Sequence, residues 1–179
     1  MNNIAIFVNS CDAFEDCWGP FFRLFVEFGY DLKGLPIYLN TERKEVSFDG
    51  LNIKCLKVAD DVDRRLTWSE CLIEGLKNIP EEYIVYFQED YFLNSSVVME
   101  QFSAAFEFLQ KHGGDAVYLN SYGPIIKTQL ESNSFSKVPR NSKYFLSTQV
   151  CIWRKSFLSS LILPWENGWM FEKFGGLRM

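Results

Sequence analysis

The sequence predicts a single α/β domain, with a mixed, mostly parallel sheet flanked by helices. Three observations lead there. Ile4–Val8 and Tyr83–Phe87 are apolar, β-branched or aromatic runs of strand length. Between them lie longer stretches with apolar residues at three- and four-residue spacing, the period of a helix packed on one face. The order strand, helix, strand then implies a right-handed crossover and parallel pairing. At 179 residues the chain is long enough to bury a real core as one domain, and it shows no repeat and no linker.

The elements follow in order. Ile4–Val8 reads as a central strand that ends in the polar loop Asn9-Ser10-Cys11-Asp12. A first-strand loop of this kind meets a nucleotide in many open α/β sheets, and a plain polar turn is the other reading. The spacing of Trp18, Phe21, Phe22, Phe25 and Phe28 predicts a helix over 16–28, with Pro20 in its first turn and Gly29 at its stop. Residues 35–39 form the next strand. Val46-Ser47-Phe48 and Leu51–Leu56 alternate around Asp49-Gly50, which predicts a hairpin whose second arm joins the main sheet. Thr67 with Glu70 is a capping box that opens a helix ended by Pro80.

Tyr83–Phe87 comes next and runs into Gln88-Glu89-Asp90. Two adjacent acids where a buried strand leaves its sheet can hold a hard cation through oxygen, or can serve only as turn or cap residues. Asn94-Ser95-Ser96 is the expected cap of the following helix, which frees Asp90 from that duty. A strand over 115–120, a long polar loop over 121–143, a strand over 144–153 and a short helix over 155–163 complete the pattern.

Composition bounds the function. Hydrophobic residues make up 47% and aromatics 17%, a dense core with apolar surface to spare. A net charge of −5 with pI about 5.0, and scattered basic residues, argue against nucleic acid as partner. The five cysteines lack CxxC spacing and are odd in number, so they read as reduced cytoplasmic thiols. The one histidine, His112, falls at a helix end beside Gly113-Gly114, which leaves no Ser-His-Asp triad or histidine metal site to build. No stretch approaches a membrane span and none reads as a signal peptide, so the chain reads as soluble.

Taken together, the strand and helix order and the segment Tyr83–Tyr91 resemble the GT-A-type glycosyltransferases, of the family 2-like bacterial kind that build capsular and cell-surface polysaccharide. Ser147–Leu158 and Glu166–Glu172 resemble the acceptor half of that family. The resemblance implies a Rossmann-like GT-A domain over 1–179, with a nucleotide-sugar half over 1–93 and an acceptor half over 94–179. It implies a metal-dependent, inverting hexosyl transfer from a nucleotide-diphosphate sugar to a hydroxyl of a glycan or lipid-linked acceptor. Asp90 falls on the metal-binding position, for Mn²⁺ or Mg²⁺, while Gln88 stands where an acid is commoner and Glu89 can substitute for it. Val8, Asn9, Ser10, Asp12, Arg64 and Glu89 would line the donor pocket, although Arg64 also fits a surface ion pair. Glu172, with Glu166 second, is the expected general base, a surface acid being the other reading of Glu172. Trp165 and Trp169 would stack on the acceptor or belong to the core. A cytoplasmic place at the inner face of the membrane suits a lipid-linked acceptor, and exposed aromatics could support a dimer. Members of this kind often continue beyond the tryptophan–glutamate segment, so the acceptor half reads as short. A non-catalytic nucleotide-sugar or carbohydrate-binding module, or a subunit of a larger synthase, is the reading of a different class.

Overall fold

Two apolar runs form the centre of the sheet, and everything else is laid against them. In the computed structural model, which describes residues 3–119, 135–140, 142 and 145–179, β1 (Ile4–Asn9) and β4 (Tyr83–Gln88) pair in parallel along their whole length. Ile4 lies opposite Tyr83, and Asn9 opposite Gln88. β2 (Ile37–Leu39) flanks β1, and β3 (Ile53–Cys55) takes the edge, both in parallel. On the other side β6 (Cys151–Arg154) runs antiparallel to β4, with β5 (Ala116–Tyr118) antiparallel beyond it. The sheet order is β3-β2-β1-β4-β6-β5. The mixed, mostly parallel α/β sheet expected from the sequence is the one observed.

Strands covered on both faces should read as unbroken apolar runs, and β1 and β4 do. Their alternate residues serve different layers. Ile4, Ile6, Val8, Tyr83, Val85 and Phe87 pack against α1 (Glu15–Phe28) and α3 (Met99–Lys111). Ala5, Phe7, Ile84 and Tyr86 face α2 (Trp68–Lys77), α4 (Lys155–Leu161) and α5 (Gly168–Gly175). Each phenylalanine so buried contributes about 1.5–3 kcal/mol against exposure. The aromatic excess is therefore spent mainly on the α1 layer, where Phe21, Phe22, Phe25 and Phe87 meet ring to ring.

Several boundaries differ from expectation for local reasons. Pro20 lies in the second turn of α1, not the first. Gly29 does end the helix, but its φ of −101° needs no glycine. The requirement is close approach, since a Cβ there would lie 2.9 Å from the Phe25 carbonyl oxygen and 3.1 Å from Leu93 Cδ1. The hairpin is half formed. Asp49-Gly50 makes its turn, with Gly50 at φ +82° and Leu51 N–H donating to Phe48 C=O, but Val46–Phe48 forms no strand. Val46 and Phe48 pack into the α1 layer, and Val46 N–H reaches the Cys55 sulfur at 3.4 Å, outside a ladder. The Thr67–Glu70 capping box is present as read. The Asn94–Ser96 cap is not, because α3 starts at Met99 after Val98 without a side-chain cap. Asp90 caps nothing on either account. Most of the polar loop over 121–143, and Tyr144 of the following strand, lie outside the described residues, and within them that strand spans only Cys151–Arg154.

Candidate functional site

The register of β1 on β4 decides where the site lies. Asn9 opposite Gln88 means that Ser10-Cys11 and Glu89-Asp90 leave the sheet side by side at its carboxyl edge. β6 is antiparallel and begins opposite Tyr86, so the segment entering it, Ser147–Gln149, arrives at the same edge. α5 closes the fourth side. These segments line one cleft of about 640 Å³, together with Phe14, Glu42, Arg65, Trp68 and Cys71. A crevice outside the carboxyl ends of the strands is where open α/β sheets bind ligands.

Glu89 is 8% exposed, and burial pushes its carboxyl up to about 7, with the neighbouring Asp90 charge adding to the shift. Asp90 lines the same cleft but is exposed. Behind them a chain of amides forms the floor: Asn40 Nδ2 donates to Asn9 Oδ1 at 3.0 Å, and Asn9 Nδ2 donates to Gln88 Oε1 at 3.3 Å. Gln88 thus holds the two central strand ends together. Ser10 Oγ accepts from Trp18 Nε1 at 2.7 Å, which ties the first loop to α1.

Glu172, half-buried on α5, lines the same cleft. Its Oε1 accepts from Thr148 N–H at 2.6 Å, Thr148 Oγ1 at 2.8 Å and Ser147 Oγ at 3.1 Å. Trp169 also lines the cleft and is 82% exposed, a flat apolar surface open to a ligand.

Other expected residues stand elsewhere. Glu166 is 3% exposed and outside the cleft lining, gripped by Arg178 through two hydrogen bonds of 2.8 and 2.7 Å. Val8 is core, packed in the α1 layer. Asp12 accepts from the backbone N–H groups of Glu42, Arg43 and Lys44 and so staples the first loop to the chain after β2. Arg64 makes a two-bond pair with Glu70 at 2.8 and 2.6 Å, the surface pairing that the sequence left open. Arg65, not Arg64, enters the cleft. Trp165 is 66% exposed and off the cleft.

Sequence reasoning missed Arg65, Glu42, Phe14 and the pair Ser147-Thr148 as cleft residues. Ser147-Thr148 sat inside a segment already singled out, but nothing in the local pattern told which side chains turn inward. As to a cation, no group of three metal-ligating side chains exists among the described residues. One exposed Asp90 beside a second carboxylate still suits Mg²⁺ or Mn²⁺, which commonly take one or two protein carboxylates, substrate phosphates and waters.

No family model and no curated protein matches the chain. Solved structures do. The crystal structure of S. aureus TarS aligns with a TM-score of 0.59 at 15% identity, covering 98% of this chain and 33% of that one. A crystal structure of S. aureus TarS 1-349 aligns with a TM-score of 0.57 at 13% identity, covering 98% of this chain and 54% of that one. The chain therefore spans less than two thirds of either. The likeness is one of fold.

Proposed function

We propose that the chain is a GT-A-type, metal-dependent glycosyltransferase domain. It moves a sugar from a nucleotide-diphosphate donor to a hydroxyl of a glycan or lipid-linked acceptor, in the synthesis of surface polysaccharide. The single observation that carries this reading is convergence: Glu89-Asp90, the Asn9–Cys11 loop and Glu172 line one cleft at the carboxyl edge of the sheet. The fold likeness to TarS, a glycosyltransferase, supports it.

Each residue then has a task. Asp90, with Glu89, would hold a divalent cation that acts as a Lewis acid on the donor diphosphate. Arg65 adds a positive charge to a cleft otherwise lined by Glu42, Glu89, Asp90 and Glu172. The Asn9-Ser10-Cys11 loop borders the nucleoside, and Trp169 offers a face to the acceptor sugar. Glu172 accepts the proton of the acceptor hydroxyl as that oxygen bonds to the anomeric carbon. The bond from that carbon to the phosphate oxygen breaks, and the nucleoside diphosphate leaves with the electron pair. A single displacement of this kind inverts the anomeric centre.

A thermal-shift panel of nucleotide diphosphates and their sugars, with and without Mn²⁺, tests the reading. Binding to the folded state raises the melting point by mass action, about 2.7 kcal/mol at a hundredfold excess over Kd. A shift that needs both donor and Mn²⁺ and vanishes in Asp90→Asn is expected. A metal-independent shift that survives Asp90→Asn would remove Asp90 and the cation from the site. One feature favours the alternative of a non-catalytic sugar-nucleotide module: Gln88 is an amide bonded to Asn9, so of the triplet Gln88-Glu89-Asp90 only the last two offer carboxylates. Donor binding without any turnover would select that reading.

A further inference from the structure

Glu172 is bonded in a way that a purely structural carboxylate is not. Glu166, twelve residues before Arg178, has both oxygens engaged by that guanidinium. On Glu172 all three hydrogen bonds converge on Oε1, and among the described residues no donor meets Oε2. A carboxylate pinned at one oxygen by three donors in different directions has little freedom left to rotate. That leaves Oε2 as the oxygen without a donor among the described residues, on a side chain that lines the cleft.

The donors belong to a segment with no regular structure of its own. Residues 145–150 form bends, outside any strand or helix. Something else must hold them, and Tyr118 does. Its hydroxyl accepts the Ser147 N–H at 2.9 Å and leans toward the Phe145 carbonyl at 3.4 Å. Tyr118 itself is fixed by the sheet. It ends β5, pairs with Cys151 in register, and sets its ring edge-on to Trp153 at 6.0 Å and 81°. Burial pushes its phenol far above the ordinary range, so the group stays a neutral hydroxyl. The proton order is also set: Gln149 N–H donates to Ser147 Oγ at 3.3 Å, and Ser147 Oγ donates in turn to Glu172.

We infer that Tyr118, Ser147 and Thr148 are positioning residues that aim Oε2 of Glu172 at the acceptor hydroxyl, an inference that rests on the reading of Glu172 as the base. Tyr118 holds the segment, and Ser147 with Thr148 holds the carboxylate. None of the three touches the reacting atoms. Their effect runs through geometry, where misplacement by about 1 Å can cost on the order of 100-fold in rate.

The test follows Mn²⁺-dependent release of nucleoside diphosphate from a panel of UDP-, GDP- and CDP-sugars. Thr148→Val and Tyr118→Phe should lower kcat by roughly 10- to 100-fold at unchanged donor KM, with Thr148→Ser restoring it because the hydroxyl returns. A clip that served only the fold would not show that split between kcat and KM. Wild-type kcat in Thr148→Val beside an inactive Glu172→Gln would overturn the inference and leave the base in place. An active Glu172→Gln would instead overturn the reading of Glu172. Amide spectra decide the relay whether or not turnover is seen. The short bond to a carboxylate should place the Thr148 N–H resonance downfield, and it should move upfield in both Glu172→Gln and Tyr118→Phe. A Thr148 amide indifferent to both variants sinks the relay.

Discussion

At the end of β4, the Glu89 carboxyl is supported among the described residues only by its own backbone N–H, whereas on α5 three donors from the Ser147-Thr148 segment meet Glu172. The β4 wall is left incomplete by the fold. A buried carboxylate with so little support is costly as an anion, so burial pushes the Glu89 carboxyl up to about 7, and a positive partner would favour its ionised form. The α5 wall is completed by the fold itself, and its geometry is set before any ligand enters. One side waits for a cation and its phosphates, while the other holds a base in readiness.

That contrast can be broken in four places. The largest effect falls on Glu172. Glu172→Gln should lower kcat by about 10²–10⁴-fold, the usual worth of a positioned general base, while donor affinity stays put. Rapid-quench turnover beside donor titration would show it, and a normal kcat would move the base elsewhere.

Next comes Arg178→Ala, which strands Glu166 as a buried charge whose remaining side-chain bond among the described residues is from Leu163 N–H at 3.3 Å. Removing one partner of a buried pair costs about 3–5 kcal/mol, so chemical denaturation should reveal a large loss of stability. A loss below about 1 kcal/mol would mean that the pair is no anchor for α5.

Glu89 gives a pH signature of intermediate size. Its carboxyl titrates near 4.5 ordinarily and about 7 in the fold, so the folded chain holds a proton that the unfolded chain has released. Stability should fall by about 3 kcal/mol as pH rises through that window and level off above it. Glu89→Gln should flatten the slope and exceed the wild type above pH 7. Parallel pH profiles for the two proteins would show that Glu89 is ionised throughout.

The smallest effect is expected at Trp169→Ala. The side chain is 82% exposed, so the fold should barely notice, while acceptor KM rises by the roughly 1 kcal/mol of a lost aromatic contact. An unchanged acceptor KM would make Trp169 surface only.

The sheet was legible because its signals are local and redundant. β1 and β4 declare themselves by unbroken apolar runs, α1 by its phenylalanine spacing, α2 by its capping box. The acids after β4 were legible for the same reason, since a strand end is a local event. The short helix α5 was not read, although Asn167 caps it by accepting the Met170 N–H at 2.9 Å. At eight residues, with a glycine at each end and three aromatics, it is too short to hold a helix by propensity, and docking against Leu146 and Trp68 decides its form. Arg64 and Arg65 show the other limit. They are identical in type and adjacent, yet one pairs with Glu70 and the other enters the cleft.

What the sequence determined alone is the central strands, the helices α1 to α4, their order, and the place in that order where two acids leave a central strand. Hydrophobic period and capping act over a few residues, so they can be read along the chain. Which carboxylate is spent on an ion pair and which is turned toward a ligand was decided only in three dimensions. Glu166 and Glu172 are six residues apart and alike in chemistry. One meets Arg178, and the other meets the segment that enters β6, more than twenty residues away in sequence and held by Tyr118 at the end of β5. Such long-range pairings depend on how the layers close, and no local pattern encodes them.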